Sequence, residues 1–289
     1  MKLSVIVSTY EKPHFLERVL WGYAMQTRRD FELVVADDGS GPATRETIER
    51  VGREAGLDVL HVWHADRGFR KSEILNRAIV ASGGDYLLFT DGDCIPRADM
   101  VAAHFALAAP GHYLGGGYLK LPAGVSERIG VDDVRSGRFA ELAWLRRQGW
   151  KPGHRALRLT RSPRLAALWD ALTPTRPLFA GNNASAWRDA IVAANGFEGE
   201  MGYGGLDRAL GYRLVNLGVK PRQVRHRAVC LHLHHDRPYR SADVVRRNRE
   251  VLERIRRGGE TRARTGIAEL APDATLRVNG APLLEQHTV

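Results

Sequence analysis

LLFTDGDCIP, residues 87–96, decides the reading of the fold. Mostly apolar residues run up to Thr90, and then Asp91 and Asp93 follow with Gly92 between them. A short apolar run of this kind, bounded by turn residues, reads as a buried strand over DYLLFTD (85–91). Strand side chains alternate, so residues i and i+2 share a face, and the two carboxylates are expected close together. Gly92 permits a tight turn and close approach of a ligand. Neighbouring carboxylates repel, and each pKa rises unless a cation neutralises the pair. Mg²⁺ or Mn²⁺ held by one or two carboxylates completes its shell with phosphates and water. Asp-Gly-Asp also occurs in plain surface turns; its place after a buried strand favours a metal-diphosphate site.

Working outward, the same pattern repeats. LSVIVST (3–9), FELVVAD (31–37) and LDVLHVWH (57–64) read as three further strands. Between them lie helical patterns. One opens at Pro13 with Phe15, Leu16, Val19, Leu20 and Tyr23 at helical spacing. KSEILNRAIVAS (71–82) is another, and Gly83-Gly84 after it suggests a glycine C-cap. Alternating strands and helices predict an α/β fold, Rossmann-like, with a mostly parallel sheet and helices on both faces. Ligands in such sheets bind at the carboxyl ends of the strands. Ser8-Thr9-Tyr10, Asp37-Asp38-Gly39-Ser40 and Asp91-Gly92-Asp93 all fall there.

The remaining chain has a different texture. Residues 122–176 are rich in Arg, Gly and Pro, without strand alternation, and predict a helical or irregular insertion lining the second half of a cleft. FAGNNASAW, GYGGLDRALGYRL and CLHLHH occupy 177–235. SADVVRRNREVLERIRR (241–257) is a basic amphipathic helix, with Val244, Val245, Leu252 and Ile255 toward one side. After Gly258 a loosely ordered tail is expected, with an option for a hairpin at Asn279-Gly280. The organisation is therefore a nucleotide-binding half (1–121), a continuous acceptor-binding half (122–240) and a C-terminal helix with tail (241–289).

A net charge of +10 suits an anionic partner. Cys94 and Cys230 lie far apart in the chain and form no zinc spacing, which suits a reduced, intracellular protein. No stretch approaches the roughly 18 apolar residues of a membrane span. The expected location is cytoplasmic, with peripheral contact of the basic helix on the inner face of a membrane as an option. GxGxxG and GxxxxGK[ST] are both absent, so a glycine phosphate cradle is not expected. A nucleic-acid partner is not expected either, because the basic residues accompany no recognised motif.

Several clusters carry candidate chemistry. Asp37-Asp38 can accept hydrogen bonds from a ribose or a base N–H. Arg67, Arg70 and Lys71 stand before a helix, where they could stabilise a leaving diphosphate. Asp207 is a lone acid in a glycine-rich approach to a helix, suited to a cap or to a general base. On a strand, His232 and His234 would share one face and His235 the other. A neutral imidazole beside Asp93 would complete a metal shell.

VIVSTYEKPHFLERVLWGYAMQT, VVADDGSG, GFRKSEILNRAI, DYLLFTDGDCIP, AGNNASAWR, GYGGLDRALGYRL and HLHH follow one another in one order. This set resembles family 2 glycosyltransferases of the GT-A fold, with a C-terminal part like that of the galactosyltransferases, over about residues 3–238. The resemblance implies Thr9, Tyr10 and Glu11 around the nucleoside, Asp38 on a uridine, and Asp91 near the ribose with Gly92 beside it. It implies Asp93 as ligand to Mn²⁺ or Mg²⁺, with His235 preferred as its partner and His232 next. Arg67, Arg70 and Lys71 would flank base and diphosphate, and Asn182 and Asn183 would lie beside the transferred sugar. Asp207 matches the catalytic base of an inverting transfer from a nucleotide-sugar, a UDP-sugar by preference, to a glycan or lipid-linked acceptor, as in polysaccharide synthesis. Two departures stand out: Leu206 replaces the Glu that usually precedes the base, and His234 replaces the Trp between the histidines. A sugar nucleotidyltransferase is an alternative, weakened because STYEKP lacks the Gly and Arg such enzymes carry after the first strand. A non-catalytic nucleotide- or glycan-binding module is another.

Overall fold

A computed structural model describes residues 1–173, 178–236 and 241–282. Four strands come from the first third of the chain: β1 (Leu3–Thr9), β2 (Glu32–Asp37), β3 (Val59–Trp63) and β4 (Tyr86–Asp91). β5 (Cys94–Pro96), β6 (His112–Gly115), β7 (Gly117–Lys120), β8 (Ala184–Trp187), β9 (Lys220–Gln223) and β10 (Val229–His232) follow, and β11 (Arg277–Val278) and β12 (Ala281–Pro282) close the chain. The large sheet has the order β12-β11-β3-β2-β1-β4-β8-β6-β9, and a small one has β5-β10-β7.

The four central strands are parallel, as their β-branched sequences and helical crossovers predict. Strand alternation divides the core in two. Leu3, Val5, Val7, Leu33 and Val35 face the helices Pro13–Ala24 and Pro42–Ala55, while Ile6, Val34 and Ala36 face the helix Lys71–Ala81. Strand order reverses at β1, with β2 on one side and β4 on the other. The crevice between the ends of β1 and β4 is thus the topological switch point. Beyond β4 the sheet becomes mixed: β8 runs antiparallel to both β4 and β6.

Residues 122–173 fold as short helices, with Trp144 and Trp150 in the core beside the Pro13–Ala24 helix. Among them only Arg158 lines the cleft described below, so most of this segment packs away from it rather than forming its wall. The helix Lys71–Ala81 ends on Ser82 in extended conformation, not on a left-handed glycine. Gly84 is needed for another reason: a Cβ there would lie 2.3 Å from Ser4 Oγ. Cys94 and Cys230, distant in sequence, are brought together as buried free thiols by the pairing of β5 with β10.

One open choice for the C-terminal region is narrowed and one expectation is corrected. The Ala242–Gly258 helix does not leave its apolar side free: Val251 and Ile255 are buried against the body, and the Asn248 amide donates to the carbonyls of Gly202, Tyr203 and Gly204. The described part of the tail after it, residues 259–282, is not loose. The hairpin at Asn279-Gly280 forms, with positive φ at both residues, and adds to the edge of β3. Upstream of it, Asn195 bonds Ala263 and Glu269, and Glu198 holds Thr265.

Glu198 is fully buried and ion-paired with the equally buried Arg213. Burial pushes its carboxyl up, but the Thr265 N–H and the Arg213 charge outweigh this and hold it below the usual range. Its stabilisation is therefore complete at neutral pH and is lost as the pH falls through and below about 4. Glu198→Ala should cost about 3 kcal/mol in denaturant titration at neutral pH, by leaving the Arg213 charge buried alone. The difference between variant and parent should shrink in acid.

Candidate active site

A cleft of about 1120 Å³ opens at the switch point. β4 delivers Asp91 there, and the turn after it delivers Asp93. Ser8, which pairs in register with Asp91, donates its hydroxyl to Asp91 Oδ1 at 2.8 Å. Lys71 Nζ meets the same oxygen at 2.6 Å. Lys71 opens its helix, where the dipole disfavours a cation. Burial also works to lower its ammonium, yet Asp91, with Asp207 and Asp93 beyond, outweighs it and raises the pKa. Asp91 is thereby neutralised within the protein, and Asp93 is left to face the histidines. A Cβ on Gly92 would approach Thr9 Oγ1 to 3.0 Å, so the turn between the two acids is closely packed.

His235 Nε2 lies 2.8 Å from Asp93 Oδ2, and His232 Nε2 lies 3.8 Å from Oδ1. The two imidazoles stack, with centroids 5.4 Å apart. Strand alternation placed His232 and His235 on opposite faces; that expectation fails because β10 ends at His232. Leu233 N–H then bonds the Asp93 carbonyl, His234 N–H bonds Ser126 Oγ, and the turn returns His235 to the side of His232. His234 instead borders a separate small pocket with His14 and Arg18.

This donor set fits a divalent metal. Each Nδ1 lies 2.7 Å from a backbone carbonyl, of Leu233 for His232 and of Asp236 for His235. A carbonyl only accepts, so Nδ1 carries the proton and a neutral ring leaves an Nε2 lone pair toward Asp93. Without a metal, His235 and His232 outweigh the burial of Asp93 and hold its carboxyl at about 2, while Asp93 raises His235. Cys94 Sγ also neighbours Asp93 and His232, but burial drives its pKa up and keeps it a thiol, a poor ligand for a hard ion.

Asp38 lies on the cleft wall with both oxygens engaged: Oδ1 meets His64 Nε2 at 2.8 Å and Oδ2 accepts the Arg70 N–H at 3.0 Å. Burial raises its carboxyl against the pull of His64. Gly39 beside it has φ +96°, and a Cβ would meet the Asp66 backbone at 2.6 Å. Thr9, Tyr10 and Glu11 line the same wall, and the Tyr10 hydroxyl donates to Asp66. Glu11 and the following Lys12 both adopt left-handed backbone, held by Ser40 Oγ on the Glu11 N–H and by Glu11 Oε1 on the Gly41 N–H.

Asp207 occupies the first turn of the helix Leu206–Asn216 and faces the cleft. Its Oδ2 accepts the Gly181 N–H at 2.9 Å, and its Oδ1 accepts the Arg208 N–H at 2.8 Å. Leu206, where a Glu was expected, packs in the core. Asn182 lines the cleft.

Three residues read as site residues from sequence have side chains directed elsewhere. Asn183 is fully buried, its amide spent on His104 and on the Gly117 and Ala228 carbonyls. Its neighbour Asn182, in the turn before β8, lines the cleft instead. Arg70 turns its guanidinium to Glu73, the Ala65 carbonyl and Asp273, leaving only its N–H on Asp38. Arg67 is exposed and outside the cleft lining. Conversely, Tyr118, Arg158, Gln223 and Arg225 line the cleft without any local motif. They arrive from three separate places in the chain, and only tertiary packing brings them together.

Residues 4–119 match the family model of glycosyl transferase family 2. The validoxylamine A glucosyltransferase of Streptomyces hygroscopicus subsp. jinggangensis is 30% identical over 229 residues, which are 75% of this chain and 52% of that protein. The chain thus spans about half the length of this relative. A mannosyltransferase of Pyrobaculum calidifontis in complex with GDP-Man and Mn²⁺ superposes with a TM-score of 0.55 at 20% identity, over 82% of this chain and 58% of that one. The glucosyl-3-phosphoglycerate synthase of Mycobacterium tuberculosis with Mn²⁺, UDP-Glc and phosphoglyceric acid gives 0.53 at 22% identity, over 89% and 80%. These two likenesses establish the fold.

Proposed function

The chain belongs to glycosyl transferase family 2 through residues 4–119, and from that premise we propose that it is a metal-dependent, inverting glycosyltransferase. Its donor would be a nucleotide-sugar, and its acceptor a hydroxyl of a glycan or lipid-linked chain in polysaccharide synthesis. One observation carries this reading: Asp93, His232, His235 and Asp207 come from three distant segments to a single cleft at the sheet's switch point.

On this reading Thr9, Tyr10, Glu11 and Asp38 hold the nucleoside. Asp91, fixed by Ser8 and Lys71, sits by the ribose, and Lys71 adds positive charge toward the diphosphate. Asp93 with His235, and His232 next, would hold Mn²⁺ or Mg²⁺, which when bound offsets charge on the departing nucleoside diphosphate. Asp207 takes the proton from the acceptor hydroxyl, which attacks the anomeric carbon from the face opposite the leaving group. Gly181 orients the Asp207 carboxylate through its N–H. Residues 1–121 would supply the donor half and 122–240 the acceptor half. GDP-Man and UDP-Glc accompany the solved relatives, and a UDP-sugar is the preferred donor on the resemblance that puts Asp38 on a uridine.

Calorimetry with UDP, GDP and dTDP, each with and without Mn²⁺, tests the donor assignment. UDP should bind best and only with the metal. Equal, metal-independent binding of all three would contradict the proposal.

A further inference from the structure

The helix Pro163–Leu172 inverts the usual arrangement of an amphipathic helix. Leu165, Leu168 and Leu172, at i, i+3 and i+7, form one stripe and are 48%, 48% and 61% exposed. Only Ala166 is buried. The helix is clipped to the body by a polar contact: Asp170 takes the His226 ring at 2.9 Å and the Arg227 guanidinium at 2.8 Å. Leu157, in the turn packed beside the helix, is 41% exposed, and Leu178 at the cleft rim is 50% exposed. Scattered exposed leucines need no explanation, but a stripe of them on a helix held by its other face does.

The charges around the stripe select its occupant. Residues 151–164 carry Lys151, Arg155, Arg161 and Arg164, besides Arg158, which turns into the cleft, and contain no Asp or Glu. Arg161 pairs with Glu141 and still keeps most of its surface. A second copy of this chain would bring the same cations against themselves, because a two-fold interface meets its own patch. An anionic lipid surface satisfies both features, taking the leucines into its acyl boundary and the arginines among its headgroups.

We propose that the 151–172 segment docks the protein on an anionic bilayer through Leu165, Leu168 and Leu172, with Leu178 setting the cleft rim at the lipid interface. The surface differs from the Ala242–Gly258 helix, whose apolar side is covered. The proposal does not depend on the transferase reading, although it would bring a lipid-linked acceptor to the cleft.

Co-sedimentation with vesicles tests it. The full chain should pellet with phosphatidylglycerol-containing vesicles, less so at high salt, and not with pure phosphatidylcholine. The triple variant Leu165→Ser, Leu168→Ser, Leu172→Ser should partition about a hundredfold more weakly with unchanged thermal melting. Arg155→Gln with Arg164→Gln should weaken binding and flatten the salt dependence, whereas Arg256→Gln with Arg257→Gln should leave it as it was. No pelleting of the parent chain would overturn the proposal, as would equal pelleting of the serine variant. So would a parent dimer in sedimentation velocity that the serine variant converts to monomer, since the stripe would then be an interface between copies.

Discussion

Asp207→Asn is expected to lower glycosyl transfer by about 10³-fold or more, which corresponds to about 4 kcal/mol of transition-state stabilisation, while donor affinity is unchanged. Asn retains a carbonyl oxygen for the Gly181 N–H, so the loop at 178–183 keeps its anchor. The lost bond to the N–H of the exposed Arg208 is local to the first helical turn. What Asn cannot do is accept the acceptor's proton. Steady-state transfer rates beside calorimetric donor affinity separate the two roles. If Asp207 only pins the loop, Asn should preserve much of the rate, or rate and donor affinity should fall together.

Asp93→Ala is expected to abolish the gain in nucleotide affinity that Mn²⁺ confers, a loss of about 100-fold or more. Asp93 is the anionic member of a set whose other members are imidazoles with Nδ1 held by backbone carbonyls. Without it, His232 and His235 remain as two stacked imidazoles, too weak a site for a hard ion. UDP titrated with and without Mn²⁺ gives the readout. If the Asp93–His235 contact is only an ion pair, the variant should be less stable yet keep the same Mn²⁺ increment.

Much of the fold is legible in the sequence because it rests on local patterns. β1 coincides with LSVIVST, the Asn279-Gly280 turn forms as its dipeptide dictates, and the acids after β4 reach the carboxyl edge where a parallel sheet must put them. What escapes the sequence is set by long-range contacts. The return of His235 depends on Leu233 bonding Asp93 across two strands. Arg70 leaves the cleft because Glu73 and Asp273 capture it, and Asp273 lies about 200 residues away in the chain. The tail is ordered by buried Asn195 and Glu198, whose partners Ala263, Thr265 and Glu269 have no sequence signature. The basic helix illustrates the same limit. Its amphipathic pattern is real, but the pattern alone does not say whether the apolar side meets protein or membrane. Here the leucines of a different helix are the ones left uncovered.

Phosphorus NMR of the protein incubated with UDP-, GDP- and dTDP-sugars and Mn²⁺ tests the central claim most directly, because it separates cleavage of the anomeric C–O bond, which releases an intact nucleoside diphosphate, from cleavage within the diphosphate. The account predicts release of a nucleoside diphosphate from one donor, dependent on the metal and lost in Asp93→Ala. Formation of a sugar 1-phosphate and a nucleoside triphosphate when pyrophosphate is added, or no turnover of any donor by a protein that binds them, would contradict it.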